Sequence, residues 1–189
     1  MKNCYLIVGQ SGSGKTTIVN ALEEKYGLKS VQSYTTRPKR SDGETGHIFI
    51  SDEEYDKLEN ILVCTEFCNY RYCATAKQID ENDLYVIDPA GIESLKAFYE
   101  GDKQFKIIYI KSDITTRYER MRFRSQKSGK QYLEAVEETL NRIVHDTNKF
   151  YKYEHEETPI DLVVENGWND DVAHVAEQIY RFIEQCEKE

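Results

Sequence analysis

The sequence predicts an α/β fold in which helices cover a parallel core sheet. Short apolar runs predict four buried strands, at residues 3–8, 83–88, 105–110 and 161–166. Segments with apolar residues at helical spacing lie between or after them, at residues 15–25, 90–99, 113–124, 131–150 and 169–187. Strands that alternate with helices indicate a parallel sheet, because parallel neighbours need a long crossover connection.

Length and composition predict one domain over residues 1–189, with a charge of −9 and a pI near 5.1. This acidity argues against nonspecific nucleic-acid binding, which requires excess Lys and Arg. The five cysteines include no C-x-x-C pair, so we expect reduced thiols. No apolar run reaches membrane-spanning length, and the N-terminal run is too short for a signal peptide. We therefore expect a cytoplasmic monomer or weak dimer that binds neither nucleic acid nor membranes.

The first predicted strand and helix flank a glycine-rich segment, GQSGSGKT at residues 9–16. It matches G-x-x-x-x-G-K-[ST] in the strand–helix context that this phosphate-binding loop, the P-loop, requires. Glycines let successive N–H groups converge on one anion, and the helix N-terminus adds its dipole. Lys15 would reach the β- and γ-phosphates, and Thr16 would bind Mg²⁺. The motif thus predicts a purine triphosphate site with Mg²⁺, formed by Gly9, Ser11, Gly12, Ser13, Gly14, Lys15, Thr16 and Thr17.

Residues 33–78 interrupt the α/β rhythm with short alternating segments, among them GHIFI, ILVCTEF and NYRYC, and a helix-like SDEEYDKLE. This pattern predicts a small antiparallel subdomain inserted into the core. Its first segment, SYTTRPKR, combines three cations with four hydroxyls. Arg37 and Arg40 suit a second phosphate, because guanidinium groups donate paired hydrogen bonds to phosphate oxygens. On these residues alone, a solvated basic turn around Pro38 is an equally simple interpretation.

Two further segments carry charged residues of interest. The segment VIDPAG at 86–91 has the D-x-x-G pattern of a GTPase switch, but NKFY at 148–151 lacks the aspartate of the guanine-reading N-K-x-D. We therefore do not favour a GTPase. Residues 111–130 carry a marked excess of Lys and Arg over acidic residues, which predicts either a charged helix face or a phosphate clamp.

The segment SYTTRPKRSDGETG resembles the nucleoside-monophosphate-binding segment of guanylate kinases, S-x-(S/T)-T-R-x-x-R followed by G-E-x-x-G. Weaker similarities follow in family order along nearly the whole chain: EFCNYRY, IDPAG, RMRFR, LNRI and VVEN. The resemblance implies a P-loop three-layer fold and transfer of the γ-phosphoryl of ATP to GMP or dGMP. It also implies three parts. The core comprises residues 1–32, 79–112 and 146–189, the NMP-binding subdomain residues 33–78, and the helical lid residues 113–145.

The resemblance also implies residue roles. Ser33 and Glu66 would read guanine, since a carboxylate accepts from the N1–H that adenine lacks. Asp88 would contact the guanine amine or orient a Mg²⁺-bound water. The remaining roles concern phosphates: Arg37, Arg40 and Tyr72 would hold the monophosphate, and Lys15, Arg120, Arg124 and Arg142 would stabilise the migrating phosphoryl group.

The sequence departs from the family pattern in two segments that would bind the acceptor. Where the family usually has a phosphate-binding tyrosine after the second glycine, this chain has His47 or Phe49. Where it has Gly and then Ser or Thr after Tyr72, this chain has Cys73 and Ala74. These departures keep open a kinase of the same fold with a different acceptor. A noncatalytic guanylate-kinase-like binding module is less favoured, because such modules tend to lose the P-loop residues that are present here.

Overall fold

The core is a sheet of four parallel strands, in a computed structural model that describes residues 1–39, 42–67, 69–155 and 158–188. The strand order is β6-β1-β7-β8. The strands are β1 (Asn3–Val8), β6 (Leu84–Val86), β7 (Gln104–Lys111) and β8 (Leu162–Glu165). All three strand pairs are parallel, which confirms the predicted core sheet.

Helices cover both faces of this sheet, and β1 is therefore buried along its whole length. Tyr5 and Ile7 face one apolar cluster, which contains residues of α1 (Lys15–Tyr26) and α8 (Val172–Lys188). The alternate residues, such as Leu6, face a second cluster that includes α4 (Pro89–Phe98). The result is three layers, with the sheet in the middle.

A second sheet of four short strands forms the inserted subdomain, in the order β3-β2-β5-β4. Its strands are β2 (Ser33–Thr35), β3 (His47–Phe49), β4 (Ile61–Phe67) and β5 (Tyr70–Thr75), with short helices α2 (Asp52–Tyr55) and α3 (Ala76–Glu81). The sheet is mixed rather than wholly antiparallel, because β2 and β3 pair in parallel. An ion pair between Arg37 and Glu44 lies in the connection that brings β3 back beside β2 in the same direction.

The predicted lid consists of two long helices, α5 (Ile114–Lys127) and α6 (Tyr132–Lys149), followed by the short α7 (Tyr151–His155). The carboxylate of Glu138 joins the two long helices, accepting hydrogen bonds from Ser125 at 2.6 Å and from Lys130 at 3.0 Å. Helix α6 continues four residues past the predicted boundary at 145, to Lys149, so one helix runs from the predicted lid into the predicted core.

We expect Ile179→Ala to destabilise the fold by about 2–5 kcal/mol, because truncating a fully buried side chain leaves a cavity. Ile179 is completely buried in the cluster between α8 and the sheet. Chemical denaturation would measure the change, with the exposed Glu184→Ala as a matched control within about 0.5 kcal/mol of the unmodified protein. Equal effects of the two substitutions would contradict the proposed layer packing.

Candidate active site

The glycine-rich loop after β1 curls into an anion-binding nest. Gly12 and Gly14 have φ angles of +80° and +93°, which favour glycine because a Cβ is strained there. A Cβ on Gly14 would also lie 2.4 Å from Nδ2 of Asn166, which itself donates to the Ser13 carbonyl at 2.7 Å. Asn166 therefore packs against the loop and bonds to it, and α1 begins at Lys15, within the motif.

A carboxylate of α6 occupies part of this nest. The backbone N–H of Ser11 donates a short hydrogen bond to the buried carboxylate of Asp146. The Lys15 ammonium turns inward and donates to the carbonyls of Gly9 at 2.6 Å and Gln10 at 3.0 Å. Asp146 therefore accepts from a donor that the motif predicts for a phosphate.

The environment of Lys15 disfavours its protonated form. Burial is the largest cause and lowers the pKa of Lys15 to about 8, although the charge of Asp146 opposes it. The neighbouring guanidinium groups of Arg124 and Arg117 lower it further. Arg117 was not predicted for the site. It is 4 % exposed, its Nε and one terminal nitrogen have no hydrogen-bond partner, and its positive charge acts on Lys15 in the P-loop.

The predicted catalytic arginines line the cavity beside the P-loop. This cavity has a volume of about 460 Å³, and Arg120, Arg124 and Arg142 line it together with Thr16 and Thr17. The Arg120 guanidinium donates to the carbonyls of Asn166 and Gly167, directly after β8, and of Gly12 in the P-loop; its shortest hydrogen bond, 2.6 Å, is to the Gly167 oxygen. Burial lowers the pKa of Arg120. Arg120 thus joins the P-loop to the segment after β8, whereas Arg124 and Arg142 line the cavity from the lid.

Arg142 lies where the cavities of the site meet. It lines the P-loop cavity, a cavity of about 760 Å³ along the inserted subdomain, and a smaller one of about 250 Å³ near Ser33. Its guanidinium donates to Glu138 at 3.2 Å. Burial alone would raise the pKa of Glu138, but bonds from Ser125 and Lys130 and the charge of Arg142 lower it to about 2. Glu138 is therefore an anionic support for Arg142 that the sequence analysis did not identify.

Arg37 of the inserted subdomain lines the cavity of about 760 Å³. Arg37 is 6 % exposed and pairs with Glu44 at 2.7 Å and 3.2 Å. Burial would lower the pKa of Arg37, but hydrogen bonding to Glu44 and to Tyr72 raises it. The Arg37 Nε has no partner. The other predicted arginine of this segment, Arg40, lies outside the described residues.

The cavity of about 250 Å³ brings together three of the residues predicted to bind the acceptor, Ser33, Tyr72 and Asp88. The Ser33 hydroxyl lies 2.9 Å from Nδ1 of His47, and the His47 and Tyr72 rings meet edge to face with centroids 5.6 Å apart. His47, rather than Phe49, lines this cavity. Histidine thus takes the place beside the acceptor residues where the family pattern has a tyrosine.

Glu66 is not brought to this cavity. In β4, the residues that line it are Val63 and Thr65, and side chains alternate between the faces of a strand. Glu66 is exposed and lines an adjoining groove along α6 that shares Arg142 and His145 with this cavity. Its predicted contact with the base stays a prediction.

Asp88 is held by two partners at the start of α4. One carboxylate oxygen caps the helix by accepting from the Gly91 N–H at 2.7 Å, and the other accepts a short hydrogen bond from the Lys149 ammonium. Lys149, like Asp146, was missed by the sequence analysis. The signal was available, because Arg142, Asp146 and Lys149 follow at helical spacing on the predicted helix 131–150.

The site fits a Mg²⁺ ion that is bound mainly by phosphates and water. Thr16 is exposed in the first turn of α1 and lines the P-loop cavity. Among the described residues, no group of three His, Cys, Asp or Glu side chains could hold a metal ion. Mg²⁺ in phosphoryl-transfer sites commonly has few protein ligands, so one hydroxyl beside the P-loop suits the ion.

No helix in the described part of the chain is both long and apolar enough to cross a membrane.

Comparisons with known proteins agree with this geometry. The sequence model of the guanylate kinase family matches residues 1–186. The chain is 26 % identical over 152 residues to the guanylate kinase of Blochmanniella floridana, covering 74 % of this chain and 72 % of that protein. It is 31 % identical over 115 residues to the guanylate kinase of Pseudoalteromonas translucida, covering 56 % of this chain and 52 % of that protein. The alignment thus spans only about half the length of this second relative.

Solved structures support the fold. The crystal structure of guanylate kinase from Anaplasma phagocytophilum aligns with a TM-score of 0.55 at 16 % identity, over 97 % of this chain and 85 % of that one. A sugar kinase from Janibacter aligns with a TM-score of 0.52 at 12 % identity, over 97 % and 95 % of the two chains. The predicted α/β fold and family are confirmed. With the family match extending over nearly its whole length, the chain belongs to the guanylate kinase family.

Proposed function

We propose that this protein transfers the γ-phosphoryl group of ATP to GMP or dGMP, producing ADP and GDP or dGDP. One observation carries the proposal beyond family membership. Arg142 lines the P-loop cavity, the cavity that contains Arg37 and the pocket that contains Ser33. A phosphoryl group that moves from a donor on the P-loop to an acceptor phosphate near Arg37 would pass this guanidinium.

The donor would bind on the P-loop. Its phosphates would accept from the backbone N–H groups between Gly9 and Thr17 and would displace the Asp146 carboxylate from the Ser11 N–H. Lys15 would turn from the Gly9 carbonyl toward the β- and γ-phosphates. Mg²⁺ would bind the Thr16 hydroxyl and supply charge neutralisation at the transferred group.

The acceptor would bind in the pocket between the subdomain and the core. We propose that Arg37, Arg40 and Tyr72 hold its phosphate, with His47 and Ser33 beside the nucleoside. The base would enter the smaller cavity toward Asp88. Glu66 would approach the base from the adjoining groove, which shares Arg142 and His145 with this pocket.

Catalysis in this site would rest on positioning and charge. The attacking atom is already a phosphate oxygen, so no general base is needed. Arg124 and Arg142 would stabilise the charge that spreads over the migrating group. Closure of α5 and α6 over the substrates would exclude the water that otherwise hydrolyses ATP. A cytoplasmic location and a monomeric or weakly dimeric state stay predictions from composition.

The first test is an acceptor panel. We expect ATP- and Mg²⁺-dependent ADP formation with GMP and dGMP, and little with AMP, CMP, UMP or dTMP. Arg142→Met should lower kcat by about 10²–10³-fold, since it removes charge stabilisation of the transition state. Lys15→Ala should abolish turnover. The matched control is Arg181→Met on the exposed face of α8, which should retain full activity. Turnover of a different monophosphate would redirect the acceptor assignment, and no turnover with any would exclude a kinase.

The lowered pKa of Lys15 predicts proton uptake when ATP binds. This pKa is about 8, and bound phosphates should raise it because they favour the ammonium. At pH 8 we expect uptake of about half a proton per ATP, falling toward zero at pH 6.5. Calorimetry in buffers of different ionisation enthalpy measures this quantity. Lys15→Arg should bind without the uptake, because arginine stays protonated; the same uptake in that variant would contradict the assignment.

Replacing the carboxylate in the nest should tighten ATP binding. In Asp146→Asn the amide oxygen can still accept from the Ser11 N–H, but the phosphates no longer displace a negative charge. We expect the Kd for MgATP to fall by about 3–10-fold, in line with the modest energy of a single charge–charge interaction near a protein surface. Asp102→Asn, on an exposed turn, serves as the control. Weaker binding with an altered Mg²⁺ dependence would instead show that Asp146 helps to hold the metal.

A further inference from the structure

We propose that an exposed apolar stripe on α6 and α7 pairs two copies of this chain as a symmetric antiparallel dimer. The stripe consists of four residues, Leu133, Leu140, Val144 and Tyr151. The inference goes beyond the proposed function, because it assigns a partner to a surface that takes no part in binding nucleotides. That partner is a second copy of the chain, held by apolar packing between flanking opposite charges.

The stripe is formed by large apolar side chains that lie in solvent. Its four residues are between 49 % and 78 % exposed. Three of them belong to α6, and Tyr151 begins α7. The Phe150 N–H donates to the Asp146 carbonyl, and the Glu154 N–H donates to the Phe150 carbonyl, so helical hydrogen bonding continues from α6 into α7. Single exposed apolar residues are common, but a continuous row indicates an interaction surface.

The stripe lies on the side of α6 that is turned away from the active site. At 3.6 residues per turn, Leu140 and Val144 lie about 120–180° around the helix axis from the residues that contact the site. Those residues are Arg142, Asp146 and Lys149. No member of the stripe lines any of the cavities described above. A partner on the stripe would therefore leave the P-loop and the acceptor pocket open.

The spacing of the stripe favours a second copy over an unrelated partner. Successive members are seven, four and seven residues apart, the heptad-type spacing of paired helices. This order reads the same in both directions. A two-fold axis at the level of Arg142 would therefore set Leu140 against Val144 of the second copy, and Leu133 against its Tyr151. A contact between identical surfaces requires this self-complementarity.

The charges beside the stripe favour the same antiparallel arrangement. Glu134, Glu137 and His145 are exposed and line one groove, so they flank the same side of the stripe. Lys152 is exposed seven residues after His145, which places it on that side too. The flank is thus acidic at the start of α6 and basic at its end. The two-fold axis would bring Glu134 beside Lys152 of the second copy, whereas a parallel pair would set like charges together.

The size of the stripe predicts a weak dimer. Helix α6 has 18 residues and is therefore about 27 Å long. One pair of helices over this length gives a small interface, of the size that forms transient complexes. We expect a Kd of about 1–100 μM.

Sedimentation equilibrium over about 1–200 μM protein tests the contact, since this range brackets the expected Kd. We expect the unmodified protein to shift from monomer to dimer. Leu140→Gln should raise the Kd by at least about tenfold, because a symmetric dimer loses the apolar side chain from both copies. The matched control is Phe98→Gln, which replaces an equally exposed apolar residue on α4 and should leave the Kd unchanged. Circular dichroism should show the same helix content in both variants.

A charge exchange tests the antiparallel register. Glu134→Lys alone and Lys152→Glu alone should each raise the Kd by about 3–10-fold, because each sets like charges together twice per dimer. An equimolar mixture of the two variants should form a heterodimer with about the Kd of the unmodified protein, since both contacts are then again between opposite charges. Glu134 also accepts from the Gln131 N–H at 3.3 Å, so the recovery, rather than the loss alone, is the informative result.

Three outcomes would overturn the proposal. A monomer at every concentration would exclude the dimer. A dimer that Leu140→Gln leaves intact would place the contact on another surface. Charge variants that weaken the dimer without recovery in the mixture would exclude the antiparallel register. None of these results bears on the proposed function, which the acceptor panel tests separately.

Discussion

The compensation of positive charge around the P-loop is the constraint on which the rest of the site depends. The charges of Arg117 and Arg124 act on Lys15 there, and Arg117 is buried, where a charge is costly without a counter-ion. Asp146 supplies a negative charge directly at the loop. Burial, with a smaller contribution from the two guanidinium groups, lowers the pKa of Lys15. Nucleotide phosphates would add further negative charge beside these cations, so substrate binding would also stabilise the charged residues around the P-loop.

Helix α6 connects this balance to the acceptor. Arg142, Asp146 and Lys149 lie four and three residues apart, a spacing that places them along one side of a helix. They contact Glu138, the Ser11 N–H and Asp88 respectively. Helix α6 therefore contacts both the P-loop and the start of α4.

The features that could be predicted from the sequence are those encoded over short distances. The P-loop lies within eight consecutive residues, and the core strands are continuous apolar runs, so both were evident without tertiary information. The cavity that Glu66 lines could not be predicted, because the face of a strand that is turned inward depends on what packs against it. The parallel pairing of β2 and β3 was missed for a related reason. It is set by the path of the connection that contains Arg37 and Glu44.

Asp146 and Lys149 show a different limit. Their helical spacing from Arg142 was visible, but a charged helix face is more often solvated than functional. What distinguishes these two residues is the partner each meets across the fold, a backbone N–H in the P-loop and a helix cap at Asp88. Neither partner can be inferred from periodicity. The base pocket is the most affected, because its polar groups come from three separate segments that meet only in the folded protein.

The fold also explains how an acidic protein can bind two polyanions. A net charge of −9 acts over the whole surface, where salt screens it within about 8–10 Å. The cations that matter are concentrated in cavities, where screening is weaker and the field is focused. Carboxylates such as Glu44 and Glu138 hold Arg37 and Arg142 through ion pairs and line the same cavity as these arginines. These two acidic residues therefore position the positive charge of the site, and the net charge of the whole protein says little about the charge of its binding surface.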